Sequence, residues 1–175
     1  MDHFGVAQRN FVIVGGTTGL GFSAARALIN NDARVGVCGR SEESVAHALE
    51  ALGENAVGLS LDAAEPGGVE KLIDVTCAEF GKLDGIYHVA GGSGRGAGDG
   101  PLHELSDEGW DYTIRQNLTS VMASNRAAVR RFRSQKSGGA ILNMGSVLGF
   151  SPSPQHFSSH AYAAAKAGIE GFRGR

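Results

Sequence analysis

The sequence is poor in cysteine, has no long apolar run and carries little net charge. Its two cysteines, Cys38 and Cys77, lie in apolar contexts, which disfavours a disulfide framework or a metal site and favours a reducing, cytoplasmic compartment. No run of about 18 apolar residues occurs, so no transmembrane helix is expected. A net charge of −2 offers no basic surface for nucleic acid. These absences leave the soluble globular classes of protein.

Glycine, by contrast, is abundant, and one glycine-rich turn stands directly after an apolar run near the start of the chain. Residues 11–14 (FVIV) predict a strand buried on both faces of a parallel sheet, and a helical pattern begins near Phe22. The turn between them has the spacing G-x-x-x-G-x-G, which brings backbone amides and a helix N-terminus close to a diphosphate. The alternative is a tight βα loop without a ligand. The predicted nucleotide-binding residues are Gly15, Thr17, Thr18, Gly19, Leu20 and Gly21. No Gly-Lys-Ser/Thr follows, which disfavours a P-loop nucleotidase.

A carboxylate is also missing at the end of the second predicted strand, residues 34–38. An Asp or Glu there would accept hydrogen bonds from a free ribose 2′-hydroxyl. The chain has Gly39 and Arg40 instead, and a guanidinium can pair with a 2′-phosphate. Ser41 can cap the next helix and donate to the same phosphate. We therefore expect NADP(H) rather than NAD(H), with a solvated Arg40 as the alternative.

The remaining pattern alternates strands and helices. Further strands are predicted over residues 56–61, 83–90 and 140–144, and helices over residues 41–52, 66–80 and 106–133. This alternation predicts an α/β fold with a doubly wound parallel sheet, in which ligands lie at the carboxyl ends of the strands. Asp62, Ala63, Ala90, Gly91 and Ser146 fall at those ends. Asp62 suits either an adenine amino group or a local cap.

Two other segments have open interpretations. Residues 91–101 are rich in glycine and form either a flexible linker or, as we expect, a strand-end loop beside the ligand. Four arginines between positions 126 and 133 form a solvated face or a contact between subunits.

The candidate catalytic residues follow the fifth predicted strand. Tyr162 and Lys166 are four residues apart and so share one face of the predicted helix. A phenol is a poor acid or base at neutral pH, and a neighbouring ammonium favours its ionised form. Such a tyrosine can exchange a proton with a carbonyl or alcohol oxygen, and Ser146 can hold that oxygen by a hydrogen bond. The same lysine can donate to the ribose hydroxyls beside the nicotinamide, so Tyr162 and Lys166 are also predicted to contact the cofactor.

These residues together resemble the short-chain dehydrogenase/reductase family in its basic single-domain form. The family's T-G-x-x-x-G-x-G is similar to residues 14–21, with Val14 in place of threonine. Its N-x-S-S-x-x-x-G is similar to residues 143–149, with Gly145 in place of the first serine, and its Y-x-x-x-K is matched by Tyr162 and Lys166. The resemblance implies a catalytic tetrad, with a helix asparagine that holds a water for proton relay. The tetrad residues are Asn117, Ser146, Tyr162 and Lys166.

The chain departs from the family pattern at two places. The family's N-N-A-G after the fourth strand is His88-Val89-Ala90-Gly91 here, so a polar contact that stabilises the sheet is either missing or replaced by His88. The interval from Ser146 to Tyr162 is longer than usual, and the extra residues fall in a loop around residues 151–154.

The resemblance also implies further elements beyond Lys166, including two more strands and a helix that covers the substrate. We therefore expect residues 1–175 to form one Rossmann-like NAD(P)-binding domain, incomplete at its C-terminus, with the fifth strand as an exposed edge. The expected function is an NADP(H)-dependent oxidoreductase acting on a small carbonyl or alcohol. It would be a cytoplasmic homo-oligomer assembled through the 106–133 helix. The alternative is a non-catalytic remnant that binds nucleotide weakly or serves only in assembly.

Overall fold

The computed structural model describes residues 5–172. Within this range five parallel strands form one sheet in the order β3-β2-β1-β4-β5. The strands are β1 (Asn10–Val14), β2 (Arg34–Gly39), β3 (Ala56–Ser60), β4 (Gly85–His88) and β5 (Ala140–Asn143). The helices are α1 (Gly19–Ile29), α2 (Glu42–Leu52), α3 (Gly68–Phe80), α4 (Asp107–Ile114), α5 (Ser120–Ser134) and α6 (His160–Ile169). The predicted doubly wound parallel sheet is therefore confirmed.

The central strand β1 organises two hydrophobic layers. Because successive side chains of a strand point to opposite faces, Ile13 packs with α1 and α2 on one side of the sheet. Val12 and Val14 pack with α3 and α5 on the other side. All three side chains are inaccessible to solvent. The continuous apolar run at residues 11–14 thus has the burial on both faces that a central parallel strand requires.

β4 is shorter than the run that predicts it. Gly85–His88 pair in register with Phe11–Val14, and the Asp84 amide before them donates to the Asn10 carbonyl oxygen at 2.9 Å. Before the ladder, Asn10 ties the strands together at their amino ends. Its Nδ2 donates to the carbonyl oxygens of Phe80 (2.9 Å) and Lys82 (2.8 Å).

The helix predicted over residues 106–133 is interrupted. Residues Arg115–Thr119 form a π-helical turn between α4 and α5. Asn117 lies in this turn, fully buried, and its Nδ2 donates to the carbonyl oxygen of Thr113 at 2.9 Å. Single π turns inside helices are frequent at functional sites. The chain is helical from Asp107 to Ser134, as predicted, but periodicity cannot register one inserted residue and so did not reveal the π turn.

β5 is the outermost strand on its side of the described sheet. Leu142 on this strand is 59% exposed. An apolar groove of about 480 Å³ adjoins it, lined by Phe11, Leu28 and Tyr87 among others. The expectation of an exposed edge is confirmed for the described residues. None of the helices described between residues 5 and 172 has the length and apolarity to cross a membrane.

An exposed apolar edge strand promotes association between copies of a chain. We expect Leu142→Glu to reduce the concentration-dependent light scattering of the 175-residue chain. Leu102→Glu is the control, because Leu102 is also exposed (69%) but lies outside the sheet. Equal scattering from the two variants would contradict the assignment of this edge as the associating surface.

Candidate active site

The glycine turn is held against two neighbouring strands. The backbone amides of Gly15 and Gly16 both donate to the carbonyl oxygen of Cys38, at 3.1 and 3.0 Å. Gly15 has a φ of +86°, and a Cβ added there would lie 2.7 Å from the amide nitrogen of Ala90. Glycine is therefore required at position 15 both by conformation and by the close approach of the end of β4.

The N-terminus of α1 is left without a protein cap. Thr18 occupies the N-cap position, but its side chain makes no capping hydrogen bond, and the first turn contains no acidic residue. α2 is the opposite case: Ser41 accepts from the Ser44 amide, and Glu42 and Glu43 follow. The uncapped amides and the positive end of the α1 dipole suit an anion such as a diphosphate. A Cβ added at Gly19 would meet no atom within 4 Å, so the space in front of this helix is open.

This space belongs to a cleft of about 460 Å³ at the carboxyl ends of the strands. Most of the predicted nucleotide-binding residues line it: Gly15, Thr17, Thr18, Gly19, Leu20, Arg40, Asp62, Ala63, Ala90 and Gly91. Gly21, Ser41, Tyr162 and Lys166, also predicted to contact the cofactor, are not among the lining residues. Gly21 is buried under the turn, where an added Cβ would collide with the Gly15 carbonyl oxygen, and Ser41 caps α2. The lining residues that sequence reasoning missed include Ser44, Tyr112, Arg115, Gln116 and Ser120.

The part of the cleft near the ends of β2 and β3 carries side chains of both charges. Arg40 is exposed at the end of β2 and has no ion-pair partner among the residues the structure describes. Asp62 accepts from the Ala64 amide at 2.9 Å within the loop after β3, and it does not cap α3, whose N-cap position is Gly67. Arg115 lies 3.7 Å from Asp62 and also pairs with Glu65. This guanidinium therefore joins the π turn to the loop after β3.

Asn117 fixes the opposite side of the site. Its Oδ1 accepts from the Gly92 amide at 3.0 Å, and its Nδ2 donates to the Gly92 carbonyl oxygen at 2.8 Å. The carboxamide thus bonds both backbone polar groups of Gly92, as a residue of a paired strand would, and holds the start of the glycine-rich loop. That loop is an ordered strand-end loop, as expected, rather than a flexible linker.

Lys166 and Tyr162 lie together on α6. The Lys166 Nζ is 5.6 Å from the centre of the Tyr162 ring and donates to the Met144 carbonyl oxygen at 2.8 Å. Lys166 is only 4% exposed, and this burial lowers the pKa of its ammonium group. One bond to Met144 leaves further ammonium protons for other acceptors.

Ser146 follows β5 and opens a single 3₁₀ turn, Val147–Gly149. Its Oγ accepts from the Leu148 amide at 3.2 Å. Gly149 packs on α6, where an added Cβ would lie 2.9 Å from the amide nitrogen of Ala167. A Cβ at Gly145 would meet nothing within 4 Å, so the glycine found there in place of the family's serine leaves open space beside Ser146.

Gly91 is the junction between the cleft and the predicted tetrad. It lines the cleft, and a Cβ added to it would lie 2.6 Å from Asn117 Oδ1 and 3.7 Å from Lys166 Nζ. Asn117, Lys166 and the end of the cleft therefore meet at one point. Tyr162 lies beside Lys166 on α6, and Lys166 binds the carbonyl oxygen of Met144, two residues before Ser146. None of the four predicted tetrad residues lines the cleft itself.

His88 stands where the family pattern has its first asparagine, and its ring makes polar contacts of its own. Its Nε2 lies 3.0 Å from the Ala90 carbonyl oxygen, and its Nδ1 lies 2.7 Å from Ser124 Oγ on α5. A carbonyl oxygen can only accept, so we assign the proton to Nε2, and Nδ1 then accepts from the serine. Burial lowers the pKa of His88 from 6.5 to about 4. The ring is therefore neutral at physiological pH and joins β4 to α5.

This burial makes stability depend on pH. Below pH 6.5 the unfolded chain takes up a proton at His88, whereas the native imidazole stays neutral down to about pH 4. We expect this difference to remove up to roughly 3 kcal/mol of unfolding free energy over that interval, and nothing above it.

The measurement is urea unfolding of wild type and His88→Asn between pH 7.5 and 4. The variant should lose less stability on acidification than wild type. His47→Asn removes an exposed histidine of α2 and should keep the wild-type pH dependence. Identical acid dependence in wild type and His88→Asn would contradict the assignment.

Cys38 also lines the cleft, but burial raises the pKa of its thiol to about 11. It is therefore a packing residue and not a thiolate nucleophile. Within residues 5–172 there is no group of three or more His, Cys, Asp or Glu side chains arranged to hold a metal ion.

Comparison with known families gives one match over almost the whole chain. The model of the short chain dehydrogenase family matches residues 9–174. The chain therefore belongs to the short-chain dehydrogenase family of oxidoreductases. A short chain dehydrogenase from Bacillus anthracis has the same fold, with a TM-score of 0.83 at 24% identity, and the match covers 93% of this chain and 64% of that one.

Curated relatives are similar over most of the chain. A Mycobacterium tuberculosis protein, (5R,7aS)-5-hydroxy-7a-methyl-1-oxo-2,3,5,6,7,7a-hexahydro-1H-indene-carboxyl-CoA reductase, is 38% identical over 87% of this chain and 57% of its own length. The cis-4-hydroxycyclohexanecarboxylate dehydrogenase of Sinomonas cyclohexanicum is 35% identical over 93% and 64%. The 3-oxoacyl-[acyl-carrier-protein] reductase of Salmonella typhimurium is 31% identical over 92% and 63%. The chain thus spans about three fifths of the length of these relatives.

Proposed function

We propose that this chain carries the nucleotide site and the proton-transfer residues of an NADP(H)-dependent oxidoreductase that interconverts a carbonyl compound and an alcohol. The observation that carries the proposal is the meeting, at Gly91, of an open glycine cleft with buried Asn117 and Lys166. The names of two relatives, a 3-oxoacyl reductase and a hydroxycyclohexanecarboxylate dehydrogenase, support this substrate class.

The residues present fit a dinucleotide. The uncapped N-terminus of α1 would hold the diphosphate, since its amides are unused and Gly19 leaves the space open. Arg40, without an ion-pair partner in the described chain, would pair with a 2′-phosphate, assisted by Ser44 in the lining. This arrangement favours NADP(H), and NAD(H) would bind without that contact.

Each tetrad residue then has a distinct task. A bound nicotinamide supplies or accepts hydride at the substrate carbon. Tyr162 gives its phenolic proton to the carbonyl oxygen in reduction and takes it back in oxidation. Lys166 favours the phenolate by its charge and has protons free for ribose hydroxyls, while Ser146 donates a hydrogen bond to the substrate oxygen. Asn117 would hold a water for the proton relay from the lysine, as the family resemblance implies, and its side chain also binds the loop at Gly92.

Loss of the phenolic proton should stop turnover and spare nucleotide binding. We expect Tyr162→Phe to lower kcat at least about 100-fold, because the proton donor is removed. NADPH oxidation is followed with a panel of 3-oxoacyl thioesters and cyclohexanones, and NADPH affinity is measured by fluorescence. Tyr87→Phe on β4 is the matched control and should keep wild-type turnover. Retained activity in Tyr162→Phe would remove the assignment.

The phosphate role of Arg40 is tested by charge reversal. Arg40→Asp should weaken NADPH relative to NADH by about 10- to 100-fold, since a charge-assisted hydrogen bond is replaced by repulsion. Arg133→Asp makes the same charge change on the exposed side of α5 and should leave the ratio of affinities unaltered. A ratio unchanged in Arg40→Asp would show that this arginine does not read the phosphate.

A second candidate is a non-catalytic chain that binds nucleotide weakly or serves in assembly. Exposed Trp110 and Val129, on the helical segment 106–133, would supply the contact between subunits. Absence of turnover with retained NADPH binding would select this candidate. The free thiols of Cys38 and Cys77 support a cytoplasmic location for either one.

A further inference from the structure

A carboxylate from the glycine-rich loop caps the helix that bears Tyr162 and Lys166. Asp99 is 4% exposed, and its two carboxylate oxygens accept from the backbone amides of Ala161 and Tyr162, each at 3.0 Å. Ser159, at the N-cap position of α6, makes no capping bond with its own side chain. Asp99 therefore supplies, from more than 60 residues away in the chain, the acceptors that a local cap normally provides.

The charge of Asp99 suits this position. The N-terminus of a helix carries a partial positive charge, and hydrogen bonds to an ionised acceptor are stronger than neutral ones. One of the two amides belongs to Tyr162 itself. The carboxylate thus fixes the backbone from which the phenol extends, one helical turn before Lys166.

The same loop holds the start of α6 at other atoms. The Gly100 carbonyl oxygen lies 2.9 Å from His160 Nδ1, and Arg95 Nε donates to Ser159 Oγ at 3.0 Å. At its other end the loop is bound through Gly92 to Asn117. The loop therefore connects the π turn to the N-terminus of α6.

Asp99 is itself held in place. Its amide donates to the Gly94 carbonyl oxygen at 3.0 Å, and Gly98 before it has a φ of +104°, a conformation that favours glycine. A Cβ at Gly94 would lie 3.2 Å from the Asp99 Cβ. The glycines of this loop let it fold tightly enough to bring a carboxylate under α6.

We infer that Asp99 is a positioning residue, which holds Tyr162 in register with the substrate oxygen by binding the first amides of α6. It acts through the backbone and does not line the nucleotide cleft. The inference rests on the proposed function, because only an acting Tyr162 gives this register a catalytic consequence.

The experiment compares Asp99→Asn and Asp99→Ala with Asn10→Ala. Asn10 is buried at the amino end of β1, remote from the site, so its loss destabilises the fold without touching α6. Steady-state kinetics use NADPH and the ketone of the panel that wild type reduces fastest. Hydrogen–deuterium exchange of the peptide covering residues 157–169 reports the capped amides and does not depend on catalysis.

We expect Asp99→Asn to lower kcat about tenfold and Asp99→Ala further, with KM for NADPH within about twofold of wild type. Exchange at the start of α6 should rise in both variants, and Asn10→Ala should lose thermal stability while it keeps kcat. Asp99→Asn retains one acceptor oxygen and so covers the case in which Asp99→Ala does not fold.

Three results would overturn the inference: a wild-type kcat in Asp99→Asn, unchanged exchange at α6, or an equal loss of kcat in Asn10→Ala at matched stability. Failure of the proposed function gives a different result, because wild type itself would then reduce no ketone of the panel. The positioning role would fall with it, and the exchange data alone would describe a structural cap.

Discussion

The structure depends on the close approach of β1 and β4 at their carboxyl ends. The Val14 carbonyl oxygen accepts from the amides of both Val89 and Ala90, at 2.9 Å each, and Gly15 then passes so near Ala90 that a side chain would not fit. This close approach directs the chain from β1 into the N-terminus of α1, and that end of the helix faces the cleft. It also places Gly91, which follows Ala90 in the loop after β4, next to Asn117 and Lys166 of the predicted tetrad.

Around Gly91, the side chains form their hydrogen bonds with backbone groups rather than with other side chains. Asn117 binds both polar groups of Gly92, Lys166 binds the Met144 carbonyl oxygen, and Asp99 binds the amides at the start of α6. Loops have few backbone partners of their own, so such contacts order them without secondary structure. The segments after β4 and β5 and the helix of Tyr162 are in this way connected into one site, while the open amides of α1 remain for a ligand.

Patterns within a short stretch of sequence predicted the fold well. The buried run at residues 11–14 and the glycine turn after it gave the central strand and the cleft, because both are determined by neighbouring residues. The π turn, the cap by Asp99 and the Arg115 bridge to the loop after β3 were missed. The cap and the bridge each join residues far apart in the chain, for which spacing gives no signal. The π turn is one extra residue within a helix, which periodicity does not register. Two serines at the start of α2 show how far position alone can predict a role. The capping role of Ser41 was predicted from its position, but Ser44, one helical turn later, lines the cleft instead of Ser41.

We expect this chain to fold around a nucleotide cleft in which the uncapped N-terminus of α1 binds the diphosphate. Thermal unfolding of the 175-residue chain, alone and with increasing NADPH or NADH, tests it most directly. A ligand that binds only the native state raises Tm in proportion to the logarithm of its concentration above Kd. We expect one cooperative transition whose Tm rises with NADPH, and rises further with NADPH than with NADH. A transition that neither nucleotide moves, or no cooperative transition, would contradict it.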